Sequence, residues 1–380
     1  MIRIFVLAVV TALLFSCNPK EKTNDAGIEH YNKDSALHYA KGFLIQEYAG
    51  CKKVIVRHPQ DTTKILATYI LIPEGVDTPK IAGTDIIFRI PLKKIACVST
   101  THVGILEKLN LVNSIVGISG TKYIYDAHVK ELIADGRIAE LGIEGSFDFE
   151  KIISLQPDAI ITYQYDDPAY DAFGKFNAVG LKTILNNEYL ELTPLGQAEW
   201  IKFIASFFDV SEMADSVFNV IENSYQTIKE QAIALENQPT VFTGLPFKGE
   251  WTVPGGNSFA AIYLADAGAN YLWKDDSRTG NFPIAFEQVI ATALSAEYWL
   301  HAGASKTLND IAKADSRLTS FDAWKTGNVF NNNKRVNENG GNDYWESGIV
   351  NPNLVLKDLV KILHPELFTS DTLTYYTQLK

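Results

Sequence analysis

At 380 residues the chain exceeds one ordinary domain, and a prior of roughly 150 residues per domain predicts two lobes with an addition. Hydrophobic residues make up 46% and charged residues 21%, which excludes a disordered tail, a collagen-like repeat and a polytopic membrane protein. The net charge of −11 argues against sequence-independent nucleic-acid binding, which needs lysines and arginines to displace counterions from phosphates. The first charge is Arg3 and the next is Lys20, with an apolar run from Ile4 to Phe15 between them. A run this short cannot span a bilayer core as a helix, which needs about twenty residues. It reads as a secretory signal peptide over residues 1–16.

Leu13-Leu14-Phe15-Ser16-Cys17 resembles a bacterial lipobox, in which the cysteine is lipidated and becomes the first mature residue. Residues 17–27 then form a polar, lipidated tether. Export places the chain in an oxidising compartment, where Cys51 and Cys97 either pair or remain small core thiols. Residues 28–92 read as a β-rich extension, with strands at Phe43 to Tyr48, Lys53 to Arg57, Ile65 to Ile72 and Asp85 to Ile90. From residue 93 to 190 strands alternate with helices. Ile95 to Ser99 is a strand, Thr100 or Thr101 caps a helix to Leu109, and Ser114 to Ile118 is the next strand. A helical stretch from Tyr125 to Asp135, a short helix from Phe149 to Leu155 and a strand from Ala159 to Thr162 follow. That alternation predicts a parallel sheet covered on both faces, hence an α/β lobe. Residues 191–238 are bridging helices. Between Ser211, the expected N-cap, and Leu235, apolar residues recur every three or four positions, marking one long amphipathic helix. Strand and helix alternation resumes over 239–380, a second α/β lobe. Phe286-Glu287-Gln288-Val289-Ile290 echoes Phe149-Glu150-Lys151-Ile152-Ile153, and the same offset places a strand at Ala296 to Trp299.

The segment Leu109-Asn110-Leu111-Val112-Asn113-Ser114-Ile115-Val116-Gly117-Ile118 resembles the first-lobe signature of substrate-binding proteins for iron complexes and cobalamin, which feed ABC importers. Phe149 to Ile161, with its Gln156-Pro157-Asp158 turn, is similar to another part of that signature, and Phe286 to Ile290 resembles the matching second-lobe element. The second lobe departs from the pattern at Thr292-Ala293-Leu294-Ser295-Ala296, which lacks the proline-aspartate before the strand. The resemblance covers most of the chain from about residue 93. It implies two α/β lobes joined by a long helix, with modest closure because a continuous helix resists bending. It also implies one glutamate on each lobe, Glu150 and Glu287, that docks onto arginines of the permease, although a first-turn carboxylate also favours its own helix dipole.

Ligands of open α/β sheets sit beyond the carboxyl ends of the strands. The loops there offer Tyr123, Tyr163 and Tyr165 on the first lobe and Lys248, Trp251, Arg278, Tyr344 and Trp345 on the second. Aromatic rings suit a macrocycle or chelate, and Arg278 or Lys248 suits an anionic metal complex. The expected ligand carries iron or cobalt, and the residues leave ferric siderophore, haem and corrinoid open. The protein itself is expected to need no cofactor and to hold no metal. Its seven histidines show no paired spacing, and the loop Asn337 to Asp343 does not match an EF-hand. The chain has no nucleophile elbow, phosphate loop or zinc-protease motif, so an enzyme is not expected. A hydrolase built on a carboxylate pair is the different-class alternative. A monomer is expected, held to a membrane at the periplasmic or outer cell surface through Cys17, with the permease as protein partner.

Overall fold

The computed structural model describes residues 31–380 apart from 49, 79–85, 144 and 166–171. The expected signal peptide, Cys17 and the tether lie outside the described residues. The chain begins with a five-stranded sheet, β1 (Tyr31–Asp34), β2 (Phe43–Tyr48), β3 (Cys51–His58), β4 (Asp61–Pro73) and β5 (Ile86–Ile90), in sequential order. Its ladders are antiparallel except β4 with β5, which are parallel. Alternation along the strands turns Phe43, Val54, Val56, Tyr69 and Leu71 to one face, where they join the core of the first lobe. Phe43 meets Trp200 at 5.0 Å between ring centroids, and Tyr69 and Phe88 each lie 5.5 Å from Phe207. The extension therefore has its own sheet but shares its main core with the first lobe. Cys51 belongs to a small cluster on the opposite face and Cys97 to the main core, and both thiols are free.

The first lobe comprises β6 (Ile95–Cys97), α1 (Thr100–Lys108), β7 (Ile115–Ile118), α2 (Ala127–Ala134), β8 (Ala139–Glu140), a hairpin of β9 (Gly142–Ile143) and β10 (Ser146–Phe147), α3 (Phe149–Leu155), β11 (Ala159–Thr162), α4 (Ala172–Ala178) and β12 (Thr183–Leu185). Its sheet is parallel, ordered β12-β11-β6-β7-β8. Ser99, and neither Thr100 nor Thr101, caps α1, because its hydroxyl accepts from the Thr101 amide at 3.2 Å.

Two helices, α5 (Pro194–Ser206) and α6 (Ser211–Ile233), lead to the second lobe. Along α6 the buried face passes from one core to the other. Ala214 and Phe218 belong to the first, and Ile221, Tyr225, Ile228 and Ala232 to the second. Its 23 residues span roughly 34 Å, enough to tie the lobes rigidly. Ser211 is the first helical residue rather than the cap, and its hydroxyl instead accepts from Lys52 at 3.1 Å.

The second lobe runs β13 (Thr240–Thr243), β14 (Pro246–Phe247), β15 (Glu250–Pro254), α7 (Phe259–Asp266), β16 (Asn270–Tyr271), β17 (Asn281–Ala285), α8 (Phe286–Ala293), β18 (Tyr298–Leu300), α9 (Leu308–Ala314), α10 (Asp322–Thr326), β19 (Val329–Asn331), α11 (Asp343–Glu346), α12 (Pro352–Leu363) and β20 (Thr377–Gln378). The main sheet is ordered β16-β13-β18-β19-β20, parallel but for β20, with β14-β15-β17 as a separate antiparallel sheet. In both lobes the first strand lies between the second strand and one reached by crossover. The sequence echo occupies equivalent places, since α3 leads into β11 and α8 into β18. The second-lobe strand nevertheless starts at Tyr298, two residues later than the echo predicts. Ala296 still donates to the Ala293 carbonyl, so the turn ending α8 consumes the expected first strand residues.

Candidate ligand-binding cleft

Strands β6 and β7 end at Val98-Ser99-Thr100 and Ser119-Gly120, beside the crevice where the strand order reverses. Facing them from the second lobe is the loop Gly340 to Trp345, and a cavity of about 330 Å³ lies between. A larger cavity of about 900 Å³ continues along the carboxyl ends of β18 and β19 and shares Gly340, Asn342 and Trp345 with the first. Its wall carries Lys306, Lys334 and the amides of Asn332, Asn333, Asn337 and Asn342, against the single carboxylate of Glu338. That balance suits an oxygen-rich, anionic ligand.

The loop that forms this wall is fixed from within. Asn337 Oδ1 accepts from the Asn339 and Gly341 amides at 2.9 and 2.8 Å, and its Nδ2 donates to the Lys122 and Ile124 carbonyls at 3.0 and 2.9 Å. These bonds engage the Asn337 side chain in positioning both lobes' loops. A few residues on, Glu346 Oε2 and Oε1 accept from the Tyr125 and Asp126 amides, both at 2.8 Å. Behind that contact α1 approaches so closely that a Cβ on Gly104 would stand 1.9 Å from the Glu346 carbonyl oxygen. The lobes are thus stitched by side chain to backbone bonds beside the long helix.

The structure gathers three of the sequence-derived ligand residues. Trp345, 56% exposed, stands in the wall of both cavities, Tyr123 flanks the smaller, and Tyr344 packs edge-on against Trp345 at 4.7 Å. Tyr163 and Tyr165 sit at the carboxyl end of β11, with rings 5.0 Å apart, and Tyr165 meets Tyr189 at 5.7 Å. They form a separate aromatic cluster outside the two cavity walls.

Trp251 corrects the expectation: it is fully buried among Phe242, Phe286, Trp299 and Phe321, and its indole N–H donates to the Thr243 carbonyl at 2.9 Å. Alternation along β15 turns it inward with Val253. Arg278 also stands apart, stacked 3.9 Å from the Phe282 ring centroid and paired with Asp276 at 3.2 Å. Lys248 occupies the turn of the β14–β15 hairpin, its ammonium 5.2 Å from the ring centroid of exposed Phe247. Glu150 and Glu287 are exposed in the first turns of α3 and α8. Glu287 lies within electrostatic reach of Arg317.

Two histidines stand near strand carboxyl ends on opposite lobes. Burial drives His102 down to about 3 and His301 down to about 4, so both are neutral at ordinary pH. His102 Nδ1 is buried without a partner, and its ring lies 6.4 Å from Tyr163. His301 follows β18 with a positive φ of 57° and shares a 2.6 Å hydrogen bond with Tyr376. Lys306, Asn332 and Asn333 carried no signal, since surface lysines and amides in loops are common. Among the described residues no cluster of histidine, cysteine, aspartate and glutamate is placed to hold a metal ion.

The sequence from residue 95 to 336 matches the family of periplasmic binding proteins. The chain belongs to that family. An uncharacterized lipoprotein of Methanocaldococcus jannaschii is 26% identical over 95% of this chain and 91% of its own length. A possible iron-binding, periplasmic solute-binding protein of Staphylococcus epidermidis superposes with a TM-score of 0.57 at 16% identity, covering 72% of this chain and 99% of that one. The periplasmic heme-binding protein RhuT of Roseiflexus gives 0.55 at 15%, covering 72% and 99%. At such identities these structures establish the two-lobed fold. Family and structural neighbours alike are solute-binding proteins. Among the described residues no helix is long and apolar enough to cross a membrane.

Proposed function

We propose that this periplasmic binding protein captures an iron-siderophore-type chelate between its lobes and delivers it to the permease of an ABC importer. In this reading it is lipidated at Cys17 and acts as a monomer at a membrane surface. The observation that carries the reading is the large second-lobe cavity continuous with the interlobe one, in which Trp345 stands beside Lys306, Lys334, Asn332, Asn333 and Asn342. A ferric chelate with peripheral oxygens and net negative charge meets cations, amide donors and one flat ring there. The second reading is a haem or corrinoid macrocycle, favoured by the right-angled pair of Tyr344 and Trp345 at the cavity edge. In a separate interlobe cavity of about 630 Å³, both Glu346 oxygens are engaged by backbone amides and Asp343 pairs with Arg335 at 2.8 Å, so these two neighbouring carboxylates are not a free acid–base pair.

Tryptophan fluorescence of the soluble domain starting at Asn18, titrated with ferric siderophores, haem and cyanocobalamin, tests the reading. Free tryptophan serves as the inner-filter control. One-to-one saturation by a ferric siderophore is the expected result, and Trp345→Ala weakens it at least tenfold. Saturation by haem or cobalamin alone selects the second reading, and no saturation by any of them overturns the cargo.

The exposed first-turn carboxylates of α3 and α8 support docking of Glu150 and Glu287 onto permease arginines. The double variant Glu150→Ala, Glu287→Ala is expected to abolish uptake in cells while leaving the affinity of the isolated domain unchanged. Lost affinity in that variant would remove the docking role.

A further inference from the structure

A third cavity opens off the cleft into the second lobe, and its chemistry differs from that of the cleft. It encloses about 260 Å³ and shares Gly303, Asn332 and Trp345 with the larger cleft cavity, so the two are continuous. Phe259, Tyr263, Trp345 and Leu359 form apolar walls, while His301 and Tyr376 form one polar edge. Among the described residues, no charged side chain lines it.

We propose that this side pocket binds an uncharged planar aromatic group of one or two fused rings with a hydrogen-bonding edge, carried as an arm of the cleft ligand. The inference rests on the cleft reading above and adds to it the chemistry of one part of the cargo. Volume sets the size. A cavity of about 150 Å³ is enough to hold benzene, so 260 Å³ takes a second fused ring. Wall chemistry sets the shape, since rings of Phe259, Tyr263 and Trp345 offer edge and face contacts to a planar guest.

The polar edge sets the remaining preference. His301 shares its 2.6 Å bond with Tyr376, and Tyr376 in turn hydrogen-bonds Tyr344. Tyr376 takes the Nε2 side of the neutral imidazole and leaves one ring nitrogen, a donor in one tautomer and an acceptor in the other, so this edge serves a hydroxyl, which can play either part. A carboxylate there would be desolvated with no cation in the wall, whereas Lys306 and Lys334 wait outside in the cleft. The architecture divides one ligand into an anionic head in the cleft and an aromatic arm in the pocket.

Calorimetric titration of the soluble domain with 2-naphthol, naphthalene and 2-naphthoate tests the pocket directly. The expected result is one-to-one binding of 2-naphthol, about fivefold weaker binding of naphthalene and at least tenfold weaker binding of 2-naphthoate. Ala260→Phe and Ala260→Leu fill the pocket from α7 and are expected to weaken 2-naphthol at least tenfold, with circular dichroism and melting midpoint unchanged. Retention of naphthol affinity in whichever filled variant folds, a preference for 2-naphthoate, or no saturable binding overturns the proposal. The chelate titration is read in the cleft and not here. Chelate binding without naphthol binding removes the side pocket alone, and naphthol binding without chelate binding removes the cargo assignment alone.

Discussion

Replacing Glu199 with glutamine is expected to lower the stability of the whole chain by about 3–5 kcal/mol, the cost typical of breaking a buried charged network from one side. Glu199 is fully buried in α5, and its carboxylate accepts from three successive amides of the extension. Those of His38, Tyr39 and Ala40 donate at 3.1, 2.8 and 2.9 Å. Lys202, itself mostly buried, pairs with it at 3.3 Å. Glutamine keeps the shape but presents an amide N–H₂ where donors already converge, and it leaves Lys202 uncompensated on that side. The next link repeats the device: Glu191 accepts from the Lys41 and Gly42 amides at 2.9 and 2.7 Å and from the Trp200 indole at 3.0 Å. Gly42 is needed for the approach, because a Cβ there would come within 2.6 Å of the Trp200 ring. Urea denaturation followed by circular dichroism measures the loss, and limited proteolysis shows whether residues 31–92 detach first. A loss below about 1 kcal/mol would mean that the shared aromatic core, and not the carboxylates, holds the extension.

The sequence revealed the elements more readily than their joints. Residues Phe43–Tyr48, Phe149–Leu155 and Ala159–Thr162 form the elements expected, because the pattern of their apolar residues agrees with their final burial. The long helix was legible for the same reason, since its buried residues recur on one face from Ala214 to Ala232. Glu199 and Glu191 could not be recognised as clamps, because their partners are backbone amides about 150 residues away, and amides carry no sequence signal. Trp251 looked like a loop aromatic only because the β14–β15 hairpin follows β13 so closely that its strand was hidden. In the cleft, Trp345 and Tyr344 stood out as aromatics after a glycine-rich loop. His301 did not, because a lone histidine with no paired partner in sequence carries no ligand signal, and its bond to Tyr376 spans 75 residues.

The destabilisation caused by Glu346→Ala is expected to depend on pH, larger at pH 5 than at pH 8 by about 2.5 kcal/mol. Burial pushes the Glu346 carboxyl up to about 7, opposed by the two amide bonds from Tyr125 and Asp126 and reinforced by the charges of Asp343 and Asp126. The folded chain therefore holds a proton there that the unfolded chain releases near the ordinary value of 4.5. The favourable contribution of this group is complete below about pH 4.5 and is lost as pH rises to about 7. Alanine removes that titration at every pH and leaves two donors of the first lobe without their acceptor, a constant cost of about 1–3 kcal/mol for each that water cannot reach. Subtracting the two stability curves isolates the group from Glu188, another buried carboxyl raised to about 7, and from His102 and His301, which titrate oppositely. A difference that grows with pH would show the carboxylate ionised throughout, held by its two amides strongly enough to outweigh burial. The functional consequence lies in the loop that Glu346 and Asn337 secure, since it carries Tyr123 into the cleft wall. Loosening that loop from the second lobe should weaken ligand retention and speed its release, so the same variant is expected to raise the dissociation rate of whatever ligand saturates the domain.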